Sequence, residues 1–250
     1  MGHQGLKFTE KELDRYSRQM IIPRWGEEGQ RRLKKAKVFV AGAGGLGSPL
    51  SIYLAVAGVG KIRICDNGIP ELSNLNRQIL HCECDIGKNK AYSAKDTLFE
   101  INPNVDIEPI VETINEDNAQ QLIGDSDLII DCLDDFQTRH ILNKVAVNKQ
   151  IPFIHAGVYG LTGQLTFIHP PETPCLYCIF PGSFSRSGIF PILGATAGII
   201  GCLEALEAIK WIVGIGNNLK GRLLIFNGEE MEFQMVEIKK DPNCPICSRP

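Results

Sequence analysis

The chain has 250 residues, and what it has little of narrows the field first. Basic excess is missing. Against 26 Lys and Arg stand 29 Asp and Glu, for a net charge of −3, which gives wholesale nucleic-acid binding no electrostatic support. A membrane-length apolar helix is missing as well. The apolar residues after Lys37 are split by a glycine turn, and the uncharged stretch 188–203 holds Pro191 and four glycines before meeting Glu204, Glu207 and Lys210. The first residues are rich in Lys, Glu and Arg, unlike a secretory or transit leader. A cytoplasmic protein without membrane contacts is expected. Nine cysteines are an odd number for a disulfide framework, so they read as reduced thiols plus a metal site. There is no internal repeat and no low-complexity tract.

What is present is organised around residues 37–67. A short apolar strand over 38–41 runs into Gly42-Ala43-Gly44-Gly45-Leu46-Gly47, fitting G-x-G-x-x-G at Gly42, Gly44 and Gly47. A helix is predicted over 46–57 and a second strand over 62–65, ending at Asp66. The first glycine suits a tight turn, the second lets backbone approach phosphate, and the third lets helix pack on strand. Free N–H groups at the helix start face an anion. Asp66 lies 19 residues past Gly47, near the spacing at which a carboxylate meets a ribose hydroxyl. A nucleotide-binding βαβ unit follows, with Gly45 inside the same turn; the motif does not choose between ATP and NAD.

Upstream, Thr9 and Glu12 form a capping box for a helix over 10–19 that carries Arg18, and a second helix is predicted over 27–35. Downstream of Asp66, the residues Asn74, Arg77, Gln78 and Lys90 follow the carboxyl end of the second strand, where open α/β sheets bind ligands. Arg77 suits phosphate as a fork and Lys90 as a point charge, although either reads equally well as a surface charge. A helix is predicted over 87–101, a strand over 105–110, a helix over 115–123 and a buried strand over 127–132. Asp131, Asp134 and Asp135 at the end of that last strand are candidate magnesium ligands, with helix capping as the plain alternative for one of them. A helix over 136–148, a strand over 152–158, another over 164–169, a long apolar helix over 192–213 and strands over 221–226 and 231–238 complete the chain. Five strands alternating with helices predict an α/β protein with a doubly wound, Rossmann-like, mostly parallel sheet and extra antiparallel strands. The expected organisation is one unit over 1–250: N-terminal helices to 36, a nucleotide-binding part over 37–170, and a zinc-stapled part over 171–250.

Two C-x-x-C pairs, Cys175 with Cys178 and Cys244 with Cys247, are separated by 65 residues. Two such knuckles supply a four-thiolate tetrahedral zinc when the fold unites them, and four cysteines leave no open position for catalytic water. A redox role is the rival for either pair alone. Residues 181–188, rich in Gly and Ser, have the composition of a mobile segment over a site.

The order of motifs resembles the MoeB/ThiF/HesA family, relatives of ubiquitin-activating enzymes. The matching pieces are R-Y-S-R-Q at Arg15 to Gln19, G-A-G-G-L-G at Gly42 to Gly47, D-N-G at Asp66 to Gly68 and S-N-L-N-R-Q at Ser73 to Gln78. They continue with G-K-N-K at Gly87 to Lys90, D-C-L-D at Asp131 to Asp134 and both C-x-x-C pairs, and together span nearly the whole chain. The resemblance implies adenylylation by MgATP of the C-terminal glycine carboxylate of a MoaD/ThiS-like, ubiquitin-like sulfur carrier ending in Gly-Gly, for molybdopterin or thiamin biosynthesis. Carried over, Asp66 holds the ribose, Arg77 and Lys90 neutralise phosphates, Asp134 binds Mg²⁺, and Asn74 and Gln78 line the pocket. Arg18 becomes an arginine finger serving the other subunit of a homodimer, and the carrier tail threads under residues 181–188.

Departures from the family pattern shape the expectation. Residues 179–191 contain no cysteine and Cys202 falls inside an apolar helix, so no covalent sulfur or thioester step is expected at that loop. Asp135 stands where relatives often carry Asn and adds negative charge near the metal. The sequence stops three residues after Cys247, so no rhodanese domain is expected and the sulfur donor is taken to be a separate protein. Cys82 and Cys84 are assigned surface or packing roles. The competing functions are an NAD-dependent oxidoreductase, a non-catalytic carrier-binding module, and an adenylylating relative acting on a peptide or modified-tRNA carboxylate.

Overall fold

The computed structural model describes residues 7–182 and 190–248. Helix α1 (Glu10–Met20) opens with the expected capping box: Glu12 N–H donates to Thr9 Oγ1, and Thr9 N–H donates to Glu12 Oε2. Helix α2 (Gly26–Lys35) leads into β1 (Lys37–Ala41), followed by α3 (Gly47–Ala57), β2 (Lys61–Cys65), α4 (Lys90–Ile101), β3 (Asp106–Ile110), α5 (Ala119–Ile123), β4 (Leu128–Asp131), α6 (Phe136–Lys149) and β5 (Phe153–Tyr159). The chain then runs through β6 (Thr162–Ile168), α7 (Leu176–Ile179), α8 (Gly194–Val213), β7 (Arg222–Asn227) and β8 (Glu232–Glu237).

The strands form one sheet in the order β3-β2-β1-β4-β5-β6-β7-β8. The first five pair in parallel and the last three antiparallel, as the mostly parallel expectation with added strands requires. Parallel strands covered on both faces read as continuous apolar runs, and Val38, Phe39, Val40 and Ala41 of β1 are all fully buried. Alternation then divides them between two cores. Val38 and Val40 join Ile62, Ile64, Leu128 and Ile130 under α3, α4 and α8. Phe39 and Ala41 join Ile129 and Phe153 under α5 and α6.

From β1 the chain winds outward through β2 and β3, then returns to place β4 on the other side of β1. That reversal opens a crevice at the carboxyl ends of β1 and β4, the place where such sheets take ligands. Helix α8 leans across it. A Cβ at Gly201 would lie 2.5 Å from Leu46 O and 2.7 Å from Pro49 Cγ, so only glycine lets α8 cross the start of α3 this closely.

Some boundaries differ from the expectation. Asn115 does not start a helix: its Oδ1 accepts from the N–H groups of Asp117 and Asn118 in a side-chain-closed turn, which delays α5 to Ala119. Helix α4 begins at Lys90 rather than 87, because Asn89 caps it by accepting from Ala91 N–H. Among the described residues, no helix is long and apolar enough to cross a membrane.

Candidate nucleotide site and thiolate cluster

The glycine turn is shaped by two of its glycines and opened by the others. Gly42 has φ +102°, a left-handed conformation, and a Cβ there would lie 2.7 Å from Cys132 O. A Cβ on Gly47 would fall 2.0 Å from Gly42 O, inside any permitted contact. Gly44 and Gly45 meet no backbone: the nearest atoms to a Cβ are Gln78 Nε2 at 3.7 Å for Gly44, and Ala197 Cβ at 3.3 Å and Arg77 Cγ at 3.5 Å for Gly45. The middle of the turn therefore faces a space bordered by the Gln78 and Arg77 side chains.

Asp66 locks this turn from the next strand. Ala43 N–H donates to Asp66 Oδ2 (2.8 Å) and Gly68 N–H to Asp66 Oδ1 (2.7 Å). Lys90 comes in on the same side. Its backbone N–H donates to Gly68 O, and a Cβ on Gly68 would lie 3.0 Å from Asp66 Oδ1 and 3.3 Å from Lys90 Nζ. Arg77 donates from one guanidinium nitrogen to Ser73 O and Asn76 Oδ1 (2.9 Å each), while Gly194 at the start of α8 packs against its backbone. Asn74 ends a short 3₁₀ turn, its Oδ1 accepting from Glu71 N–H. Gln78 is buried beside Gly44, and its Oε1 has no hydrogen-bond partner among the described residues. An unsatisfied buried acceptor at the rim of a glycine turn fits a polar ligand there.

The three acidic residues after β4 separate by role. Asp131 is fully buried, accepting from His155 Nδ1 at 2.7 Å and from Leu133 N–H at 3.0 Å, and pairing with Arg139 Nε at 3.2 Å. Asp135 caps α6 through Thr138 N–H. Asp134 is exposed and makes no hydrogen bond to the described residues, so of the three it is the carboxylate available to a cation.

Sequence reading did not find the groups beneath. Arg139 is buried, donates to Leu133 O and to Ala156 O (3.0 Å), and so fixes the loop that carries Asp134. Burial is the main cause that depresses His155, against the opposing pull of Asp131, and leaves it neutral. Glu204 of α8 is pushed well above the carboxylate range by burial and by Asp131, and faces Cys132 Sγ. His81 spans from the Arg77 segment to the turn: its Nε2 meets Ala43 O at 3.0 Å and its Nδ1 meets Ser93 Oγ at 2.8 Å. A carbonyl can only accept, so Nε2 carries the proton and burial depresses the imidazole. The one available signal is Glu204 directly after the uncharged stretch 188–203.

Arg18 is exposed on α1, whose Gln19 side chain donates to Ala57 O at the end of α3. Tyr16, two residues earlier, packs at Gly58 beyond the far end of α3 and accepts a hydrogen bond from Asn102 after α4. The glycine turn starts the same α3, whose 11 residues span about 16 Å.

The four predicted zinc cysteines do come together. Sγ–Sγ distances are 3.9 Å for Cys175–Cys178, 3.7 Å for Cys175–Cys244 and 3.4 Å for Cys178–Cys247. A tetrahedron with ligands about 2.3 Å from zinc has edges of about 3.8 Å. The cluster can hold such an ion. Burial pushes the Cys175 thiol up and holds Cys247 at about 11, whereas hydrogen bonds outweigh burial and lower Cys244; a bound cation would favour the thiolate forms of the two raised thiols. Residues 183–189, most of the expected covering segment, lie outside the described residues.

One cysteine expectation needs correction. Cys82 and Cys84 are at the surface, as expected, but they are joined in a disulfide instead of being free thiols. Two residues of separation let a single 3₁₀ turn bring both sulfurs to one side, which a census for long-range pairs overlooks.

Comparison with known proteins accounts for this arrangement. The ThiF family model matches residues 16–246. The SAMP-activating enzyme E1 of Haloferax volcanii is 39% identical over 97% of this chain and 91% of its own length. The sulfur carrier protein adenylyltransferase of Thermus thermophilus is 38% identical over 97% of this chain and 93% of its own. Among solved structures, E. coli MccB with MccA-N7isoASN superposes with a TM-score of 0.87 at 25% identity, covering 98% of this chain and 77% of MccB. The match runs over nearly the whole chain: the chain belongs to the ThiF family and is an adenylyltransferase.

Proposed function

We propose that this protein adenylylates the C-terminal glycine carboxylate of a small ubiquitin-like sulfur carrier. The observation that carries the reading is the convergence of Asp66, Lys90, Arg77 and Gln78 on the open middle of the Gly42–Gly47 turn. A carrier carboxylate oxygen attacks the α-phosphorus of ATP, the bond to the pyrophosphate oxygen breaks, and an acyl adenylate forms. Charge builds on phosphate oxygens as this happens, so fixed donors already aimed at them do most of the catalysis. The N–H groups at the start of α3 and the Arg77 and Lys90 cations supply that field. Asp66 orients the nucleotide through the ribose, with Asn74 and Gln78 at the pocket wall. Asp134 would hold Mg²⁺, which when bound adds positive charge at the phosphates.

Arg18 acts in trans within a homodimer. The packing of α1 at the end of α3 away from the glycine turn supports this, as do the exposed Ile21 and Ile22 after Arg18 and the exposed Ile69 and Leu72 beside the site. The four-cysteine cluster holds zinc as a staple. The relatives named for SAMP activation and sulfur-carrier adenylylation support a protein carrier. The likeness to MccB solved with MccA supports a different acceptor as the second reading.

The test is carrier-dependent ATP–pyrophosphate exchange by the purified protein with a panel of carriers ending in Gly-Gly, beside Arg77→Ala. Exchange with one carrier, reduced at least about 100-fold in the variant, is the expected result. ATP binding without exchange across the panel would move the acceptor to a peptide.

A further inference from the structure

Cys82 and Cys84 are absorbed neither by the zinc staple nor by the adenylylation chemistry. Cys84 lies in a 3₁₀ turn (Glu83–Asp85) and Cys82 immediately precedes it, on the segment that connects Arg77 to Lys90. Both are exposed and bonded to each other across two residues of sequence. A disulfide stabilises a fold by removing freedom from the unfolded chain, and the effect grows with the loop it closes. A loop this short removes almost none, so the bond has little value as a staple, and its exposure leaves it open to attack.

The surroundings make the two sulfurs unequal. Asp85 Oδ2 accepts from Cys82 N–H at 3.0 Å and stands 3.1 Å from Cys82 Sγ, while Lys88 Nζ sits 2.9 Å from Asp85 Oδ1. Burial works to raise Asp85, but the Cys82 N–H and the Lys88 ammonium outweigh it and hold the carboxyl below its usual range. A fixed negative charge beside Cys82 disfavours a thiolate there, which leaves Cys84 as the better leaving group. Ile79 and Ile86, both exposed, flank the pair and give an apolar footing to a protein. His81, the neighbour of Cys82, holds Ala43 O of the glycine turn.

We propose that Cys82 and Cys84 are a reversible thiol–disulfide exchange site for the dithiol of a partner protein, mounted on the segment that carries the nucleotide-site cations. A partner thiolate attacks Cys82 Sγ, a mixed disulfide forms, and the Cys84 thiolate leaves and takes up a proton. The partner's second thiolate then attacks its own sulfur in the mixed disulfide and releases Cys82. The partner dithiol is oxidised to a disulfide by two electrons, and the pair is reduced to two thiols. Through His81 the state of the pair reaches the glycine turn. That last step rests on the nucleotide reading above; the exchange does not.

The full-length, zinc-loaded protein is equilibrated with mixtures of reduced and oxidised thioredoxin, then quenched with N-ethylmaleimide, and the peptide spanning residues 82–84 is weighed. Passage in both directions between no label and two labels is the expected result, and a thioredoxin probe that keeps only its attacking cysteine should accumulate a mixed disulfide with Cys82. A peptide that stays fully labelled or fully unlabelled throughout overturns the proposal. So does a reduced pair that takes up a further equivalent of zinc and no longer exchanges. ATP affinity measured on both states should differ by about fivefold or more, and the double variant Cys82→Ser/Cys84→Ser should bind ATP equally under both conditions. Equal affinities in the unaltered protein overturn the link to the site. ATP binding to neither state would instead sink the nucleotide reading, with the label count still deciding the exchange.

Discussion

The glycine turn and the four-cysteine cluster reach fixed geometry by opposite routes. The turn is assembled from residues 42–90, held by the Ala43 and Gly68 N–H groups donating to the Asp66 carboxylate and by Lys90 N–H donating to Gly68 O, and its functional side chains reach outward. The cluster draws its ligands from Cys175 and Cys178 on one side and Cys244 and Cys247 on the other, with α8 and two strands between. The first is rigid before any ligand arrives and keeps an open side, as catalysis needs. The second is saturated by its own four sulfurs and has no position left for a substrate. On the proposed function, chemistry belongs to the first and cohesion to the second.

The contrast is broken most forcefully at the staple. Cys244→Ser should abolish bound zinc and lower stability by several kcal/mol, about 5 or more, with the C-terminal strands the first to become labile. Metal content and hydrogen exchange of β7 and β8 check it, and a variant with unchanged melting would deny the cluster its structural role. Next comes the turn itself. Gly47→Ala should destabilise by about 3 kcal/mol because the new methyl meets the Gly42 carbonyl, whereas Gly44→Ala should leave melting nearly unchanged and weaken ATP about tenfold. Thermal denaturation and calorimetric ATP titration on the two variants separate packing from ligand approach.

Asp134→Asn sharpens the same division from the chemical side. Pyrophosphate exchange should fall about 100-fold while the melting temperature stays within about 2 °C, since this exposed carboxylate makes no hydrogen bond to the described residues. A large loss of stability would make Asp134 structural instead. The smallest effect concerns pH. His81 and His155 are both depressed from 6.5 by burial, so the fold prefers them neutral while the unfolded chain protonates near that value. The stability they contribute is complete above about 6.5 and is lost as pH falls below it. Urea midpoints measured from pH 8 to 5 should decline, and His81→Gln should flatten the curve.

Much of this was legible in the sequence because the determining interactions are local. The capping box at Thr9, the G-x-G-x-x-G turn, the 19-residue interval to Asp66 and the apolar runs of β1 and β4 each lie within one or two elements. The failures are equally instructive. Asn115 was read as a helix start when its side chain closes a turn, because the two uses of asparagine share one local signal. Cys82 and Cys84 were read as thiols because pairing across two residues depends on a backbone turn that composition does not reveal. Asp131 and Glu204 stand out singly, but their union with Arg139 and His155 leaves no pattern in sequence, since the four come from β4, α8, α6 and β5.

By itself, then, the sequence determined the family, the α/β class, the nucleotide turn and the identity of the thiolate cluster. Each rests on residue types at short fixed spacing, where sterics and hydrogen bonding leave few alternatives. Only the tertiary structure decided which of three aspartates makes no hydrogen bond to the described residues, that Asp131 is spent on Arg139 and His155, that α1 packs at the end of α3 away from the turn, and that Cys82 meets Cys84. Those outcomes depend on which distant surfaces pack together, and burial, which sets the charge and the partners of every such group, is a property of the assembled chain.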